Sequence, residues 1–264
     1  MEGWRSGERT RWREGVVDLG VRVLAEETPV AIVYDASTYA VMMATPADLE
    51  DFALGLSLTE GVIASAEEVA SIEIAEGDRG IEARVWLKPG RREALAARRR
   101  RLAGPTGCGL CGIDSLAEAS RTPPQVCAQL RLAPPEVLGA VEALGKAQSL
   151  GQLTRGVHAA AFWTPGQDLV ATREDVGRHN ALDKLAGALA RNGVKGNEGA
   201  VVLTSRVSVE MVQKAAMIGA GVLIAVSAPT TLAMATADAA GMTLVAVARS
   251  DGFEVFTHPD RIVL

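Results

Sequence analysis

The chain has 264 residues, enough for one large or two small domains, and 48% of them are apolar against 22% charged, so a buried core is within reach of the sequence and wholesale disorder is excluded. Its 27 Lys and Arg stand against 32 Asp and Glu, a net charge of −5, and 4% of residues are aromatic. A general nucleic-acid binder, which needs a basic surface or stacking platforms, is therefore set aside. Three cysteines cannot form a disulfide scaffold for a chain this long, and a reduced, cytosolic setting is the default.

Residues 1–14 are polar and Arg-rich and read as a frayed tail without a secretory signal. Strands are expected at Val16 to Val23, Val30 to Tyr34 and Tyr39 to Ala44. Thr45-Pro46 then predicts a helix start, with Thr45 as N-cap and Pro46 at the first helical position. Leu49, Phe52, Ala53 and Leu56 give that helix one apolar face, and Gly61 ends it. With further strands at Val69 to Ile74 and Ile81 to Leu87, residues 15–103 read as a small α+β domain. A run of six arginines between Arg91 and Arg101 leads into Gly-Pro-Thr-Gly-Cys-Gly-Leu-Cys-Gly at 104–112. Pro123-Pro124 and Pro134-Pro135 punctuate the next stretch, so 104–135 is expected to be a mobile connection.

Residues 136–264 read as a three-layer α/β/α domain. A helix at Pro135 to Gly145 opens it, and strands follow at His158 to Trp163 and Leu169 to Arg173. After a helix at Gly177 to Asn192, buried strands at Ala200 to Ser205, Val222 to Val226 and Thr243 to Ala248 alternate with helices at Ser208 to Ile218 and Thr231 to Ala240. Continuous apolar strands with helical crossovers predict a mostly parallel sheet covered on both faces. The uncharged stretch Ala215 to Ala237 is long enough for a membrane span, but Gly219, Gly221, Ser227 and Pro229 cut it into helix, strand and helix. No membrane association is expected.

Cys108 and Cys111, in a C-x-x-C flanked by Gly107 and Gly112, are the strongest chemical signal. Flanking glycines leave thiols uncovered, and the preceding arginines favour thiolate. Three readings stand side by side: zinc ligation, a redox dithiol, or a sulfur-carrying nucleophile. Zinc would need two further ligands from Cys127, His158, His179 and His258, none at a partner spacing. A zinc-deaminase apparatus is also missing: His158 follows the cysteines, Ala160 stands where its glutamate would be, and Gly107 replaces the proline before the first cysteine.

Arg173 to Lys184 is the densest polar cluster. Asp175 can cap the helix that follows, and Arg178, His179 and Asn180 project from its first turns, where free N–H groups favour anions. The plainer reading is a solvated helix start with surface ion pairs. Ser205, Arg206 and Ser208 follow the end of a buried strand, where α/β sheets bind ligands, though an ordinary N-cap explains the serines equally well. Ser227 to Thr231 is the equivalent edge one strand on, and His158, among alanines and valine, reads as a core histidine.

These stretches together resemble the FdhD/NarQ family of formate dehydrogenase accessory sulfur carriers. The matching pieces are Met42 to Ala53, the Cys-Gly-Leu-Cys-Gly block, Gly156 to Ala161, Arg173 to Lys184, Ser227 to Thr230 and Thr257 to Arg261. Thr204-Ser205-Arg206 departs from an expected Ser-Gly-Arg. The cofactor-contact stretch near the C-terminus, Val247, Ala248, Arg249, Ser250, Asp251 and Gly252, carries one basic residue fewer than some relatives. The resemblance implies a cytoplasmic homodimer with a cytidine-deaminase-like larger domain and no resident metal. It implies a sulfurtransferase role in which Cys108, assisted by Cys111, accepts persulfide sulfur from a cysteine desulfurase. The sulfur would pass to the bis(molybdopterin guanine dinucleotide) cofactor of molybdenum or tungsten, destined for formate dehydrogenase. Its guanine nucleotide ends would rest on Arg178-His179-Asn180, on Ser205-Arg206-Ser208 and on Val247 to Gly252. A zinc-stabilised binding module built on Cys108 and Cys111 is the alternative.

Overall fold

The structure is a computed structural model that describes residues 2–92 and 122–264. Where a frayed tail is expected, β1 (Trp4–Arg13) and β2 (Val16–Ala25) form an antiparallel hairpin in full register. Glu14 and Gly15, both at positive φ, make the two-residue turn between them. The polar run 4–13 hides a strand because its partner, not its own pattern, supplies the alternating apolar side chains.

The N-terminal sheet takes the order β4-β3-β6-β5, built from β3 (Thr28–Tyr34), β4 (Ser37–Ala44), β5 (Val69–Gly77) and β6 (Gly80–Leu87). Helix α1 (Leu49–Thr59) covers it, and Phe52 and Leu56 meet Val30, Ile32 and Val85 in one buried cluster. The helix starts three residues later than Thr45-Pro46 predicts. Thr45 cannot act as its N-cap because its amide, hydroxyl and carbonyl are all bonded to the second half of the chain. Asp48, in the left-handed region at φ 52°, stands at the N-cap position instead.

The second sheet follows the order β12-β11-β10-β9-β7-β8. Its strands are β7 (His158–Thr164), β8 (Asp168–Asp175), β9 (Ala200–Leu203), β10 (Val222–Ala225), β11 (Thr243–Arg249) and β12 (Gly252–Thr257). Only β9, β10 and β11 pair in parallel; the other three pairings are antiparallel, which corrects the expectation of a mostly parallel sheet. Tight turns join β7 to β8 and β11 to β12, and such turns can join only antiparallel neighbours. The crossover from β8 makes β9 run with β8, so β7, lying between them, opposes both.

Helices cover both faces of this sheet. On one side α2 (Pro134–Ala147) buries Val137, Ala140 and Leu144 against Ala161, Val202 and Ile224, and the short α3 (Ser149–Thr154) follows it. On the other lie α4 (Arg178–Arg191), α5 (Val209–Ile218) and α6 (Thr231–Ala239), packed on Phe162, Leu203, Leu223 and Leu244. The protein is thus a mixed α/β structure in which α1 lies between the N-terminal sheet and α4. The described part of the expected mobile connection, residues 122–133, is held in place. Val126 and Leu132 are buried, the Val126 amide donates to the Ala240 carbonyl, and Leu132 bridges to Ile262. The remainder of that stretch, and the arginine run beyond Arg92, lie outside the described residues.

Helices α1 and α4 cross with their backbones touching, which requires glycine on both. A Cβ on Gly55 would lie 1.7 Å from the Asp183 carbonyl oxygen, and one on Gly187 would lie 1.9 Å from that of Asp51. Backbone cannot yield as a flexible side chain does. Gly187→Ala is therefore expected to lower stability by at least about 1–3 kcal/mol despite the better helix propensity of alanine. Urea unfolding measures it, and an unchanged midpoint would show that the crossing can open freely.

Candidate functional site

Parallel strands β9, β10 and β11 end on one edge of the sheet, and the antiparallel β7 begins there while β8 ends there. That topology brings together the start of α4, the loops after β9 and β10, and the β11–β12 turn. Three stretches far apart in sequence therefore share one crevice edge, where ligands of open α/β sheets bind. The loops are tied to each other: the Val207 amide donates to Ala228 O, the Thr230 amide to Val207 O, and the Val247 amide to Ser227 O. Val247 holds φ 51°, a region that a β-branched residue enters only under constraint, at a bulge between Ala246 and Arg249.

Within the Arg173 to Lys184 cluster, most side chains turn away from this edge and into the protein. Asp175 and Lys184 form an ion pair at 2.7 Å with both side chains fully buried. Asp175 also accepts from the amides of Thr45 and Gly177 and from Asn180 Nδ2, and Lys184 donates to the Thr45 carbonyl. Asn180 donates further to Met43 O, so this buried residue, expected on the cofactor side, joins the two halves of the chain instead. Arg173 grips Asp51 of α1 through two nitrogens at 2.9 and 2.6 Å. Asp183 accepts from Thr59 at 2.6 Å and from Lys214 at 2.9 Å, and Lys214 also reaches Glu60 at 2.7 Å. The plainer expectation of surface ion pairs is thus corrected: these are largely buried bonds made by β8 and α4, several of them to the N-terminal unit. Nor does Asp175 cap α4; Gly177 occupies that position.

Arg178 and His179 remain at the edge. Arg178 Nε and His179 Nε2 are buried atoms without a hydrogen-bond partner among the described residues. A buried polar atom without a partner costs free energy that a bound ligand or water would recover. Arg206, on the loop after β9, is exposed, and among the described residues neither it nor Arg178 has a carboxylate within ion-pair distance. Ser205 is buried and donates to the Arg206 carbonyl, and Ser208 stands at the N-cap of α5 without a capping bond from its hydroxyl. Of the stretch after β11, Arg249, Ser250 and Asp251 are exposed at the turn and Gly252 is half-buried, while the Ala248 side chain is buried in the α2-side core. His158 is half-buried at the start of β7, beside this edge rather than in the core. Cys108 and Cys111 lie outside the described residues; Cys127 is exposed with a free thiol.

Around His179 the cations outweigh the anions. Burial, followed by the nearby cations Arg178 and Lys214, pushes the His179 imidazole down to about 4, against the weaker pull of Glu210 and Glu60. Burial and Arg178 lower His158 as well. Both rings are therefore neutral at pH 7. As pH falls from about 6.5 towards 4, the unfolded chain takes up a proton that folded His179 refuses, so stability should decline across that window and be complete above it. His179→Gln is expected to flatten that slope in urea unfolding from pH 7 to 4; an unaltered slope would assign it to other groups.

Sequence reasoning missed Glu60, Lys214 and Glu210, whose charges act on His179, and Thr59, which is bonded to Asp183 and Lys214. A lysine among apolar neighbours in Val209–Ile218 was the available signal, since a buried ammonium demands a carboxylate partner.

Fold and edge together define a mixed α/β protein whose sheet edge carries, among the described residues, two arginines without an ion-pair partner and two buried nitrogens without a hydrogen-bond partner. The model of the FdhD/NarQ family matches residues 25–263, and the chain belongs to that family. It is 52% identical to the sulfur carrier protein FdhD of Agrobacterium fabrum over 262 residues, covering 99% of this chain and 97% of that protein. The FdhD of Brucella abortus is 51% identical over 243 residues, 92% of this chain and 90% of its own length. Among solved structures, the crystal structure of a protein described as a formate dehydrogenase accessory protein from Desulfotalea psychrophila superposes with a TM-score of 0.77 at 28% identity, covering 99% of this chain and all of that one. Among the described residues, no helix is long and apolar enough to cross a membrane.

Proposed function

We propose that this chain is a sulfur carrier serving formate dehydrogenase, with the cytoplasm as its place of work, where reducing conditions keep Cys108 and Cys111 as thiols. The Cys108 thiolate attacks the terminal sulfur of a cysteine desulfurase persulfide. The donor's S–S bond breaks, its cysteine leaves as thiolate, and the sulfur is held as a persulfide on Cys108. That sulfur is passed as sulfide to the metal of a bis(molybdopterin guanine dinucleotide) cofactor as cargo: the Cys111 thiolate, or a cellular thiol in its place, attacks Cys108 Sγ, the persulfide S–S bond breaks, its outer sulfur leaves as sulfide, and the disulfide formed on Cys108 is returned to thiols by a cellular dithiol reductant. This is sulfurtransferase chemistry.

The observation that carries the cargo side is the sheet edge. Arg178 and Arg206, without an ion-pair partner among the described residues, and two buried nitrogens lacking hydrogen-bond partners there suit the phosphates of a dinucleotide better than an apolar or cationic ligand. Co-expression tests the whole reading: formate dehydrogenase made without this chain should accumulate inactive and gain activity when the chain is supplied. Guanosine diphosphate serves as the probe for the edge. It should bind with an affinity that falls with added salt, and Arg206→Ala or Arg178→Ala should each cost about 1–3 kcal/mol, the range for charge-assisted hydrogen bonds. Isothermal titration measures this. Affinity that survives both substitutions but collapses when the Arg98 to Arg101 run is neutralised would move the anchor to that run.

A further inference from the structure

Two carboxylates act on the His179 ring, those of Glu60 and Glu210. Glu60 is taken up by Lys214 at 2.7 Å. Glu210 is half-buried in the first turn of α5, and among the described residues it has no lysine or arginine within ion-pair distance. The side chains around it are donors or can donate: Arg178 at the start of α4, Arg206 on the loop after β9, and the buried Ser208 hydroxyl, which has no hydrogen-bond partner among the described residues. An acid in a first turn favours its own helix, and that is the plainer role of Glu210.

The segment that carries it is fixed in place. Val207 is fully buried, its amide donates to Ala228 O, and its carbonyl accepts from the Thr230 amide. Arg206 and Glu210 therefore flank the Ser208 N-cap on a rigid stretch, which offers a cation and an anion to one crevice. Partial burial would raise the Glu210 carboxyl. The Ser208 hydroxyl, the amide of Glu210 itself and the charges of His179 and Arg178 outweigh it and hold the group below its ordinary range, so it is ionised at pH 7.

An ionised carboxylate repels phosphate, so an edge made for phosphate alone has no use for one. A guanine nucleotide is not phosphate alone. Its phosphates only accept hydrogen bonds, whereas the pairing edge of the base presents two adjacent donors, N1–H and the N2 amino group. A carboxylate has two acceptor oxygens side by side and matches that pair as it matches the arginine fork. We propose that Glu210 is the specificity-determining residue for the guanine base, its two oxygens accepting from N1–H and N2–H while Arg178 and Arg206 hold the phosphates. This inference rests on the reading of the edge as a guanine-nucleotide site. Adenine is excluded because it would set its own N1 acceptor against the carboxylate.

Isothermal titration of the full chain with four nucleoside diphosphates tests the assignment. The unaltered protein should bind guanosine diphosphate at least about 10-fold more tightly than inosine diphosphate, which lacks the N2 amino group, and at least about 100-fold more tightly than adenosine diphosphate. Glu210→Gln should weaken guanosine diphosphate about 10- to 100-fold and leave adenosine diphosphate unchanged. It should also bind xanthosine diphosphate more tightly than guanosine diphosphate, because the glutamine amide offers one acceptor for N1–H and one donor for the xanthine O2. Glu210→Ala should lose the preference for guanine without that gain. A role confined to the helix start would weaken all four ligands together, and that result would overturn the proposal. So would a Glu210→Gln protein that keeps its preference for guanine while Arg206→Ala still weakens binding, which refutes the role of Glu210 and leaves the edge site standing. An unaltered protein that binds no guanosine diphosphate would refute both.

Discussion

Cys108→Ala is expected to abolish the activation of formate dehydrogenase, whereas Cys111→Ala should reduce it only in part. The difference follows from the proposed roles: the first residue would form the S–S bond that holds the transferred sulfur, and alanine offers no atom that can form it. The second assists a transfer that the persulfide can still undergo. Activity is read in cells that express formate dehydrogenase together with each variant. After incubation with a cysteine desulfurase and free cysteine, mass spectrometry should show a gain of one sulfur atom at Cys108 in the unaltered protein and none in Cys108→Ala. Neither substitution removes a bulky apolar side chain, so thermal midpoints should stay together, and lost activation cannot be assigned to unfolding. Full activation by the Cys108→Ala protein would refute the assignment.

Breaking the Asp175–Lys184 pair should be the most damaging change to stability outside the apolar core. Both side chains are wholly buried, and removing one leaves the other charged without a counter-ion. Asp175→Asn or Lys184→Met is expected to cost about 3–5 kcal/mol, the range for leaving half of a buried pair. Because burial lowers the pKa of Lys184 while Asp175 opposes that shift, loss of the carboxylate lets the amine give up its proton more readily. The double substitution should cost less than the sum of the two, since each single change already forfeits the shared bond. Urea unfolding of the four proteins closes the cycle, and additivity would show that the pair is not coupled. The consequence reaches function, because this pair and the Thr45 bonds around it hold the N-terminal unit against the helix that presents Arg178 and His179.

The identity of the secondary elements was legible wherever side chains announce their own environment. Val30 to Tyr34, Ile81 to Leu87 and the uninterrupted apolar strands of the second half read correctly as strands, because burial on one or both faces demands that pattern whatever lies nearby. The resemblance in motifs likewise sufficed for the family. By contrast, the start of α1 slipped by three residues, since Thr45 serves Asp175, Val176 and Lys184 rather than its own helix. The first strand was hidden in a polar tail whose apolar complement lies on β2.

Sequence by itself determined most of the elements, the cysteine pair and the three stretches that gather at the sheet edge, because each depends on local spacing and residue type. Only the tertiary structure decided which polar residues stay at the sheet edge and which are bonded into the protein. Arg178 and Asn180 are two residues apart on one helix, yet one keeps a buried nitrogen without a partner at the edge and the other is bonded to Met43 and Asp175. An arginine or asparagine carries no mark of which surface its helix will turn it towards. That direction is set by packing against α1, where Gly55 and Gly187 let two backbones meet, and no window of neighbouring residues contains both sides of that contact.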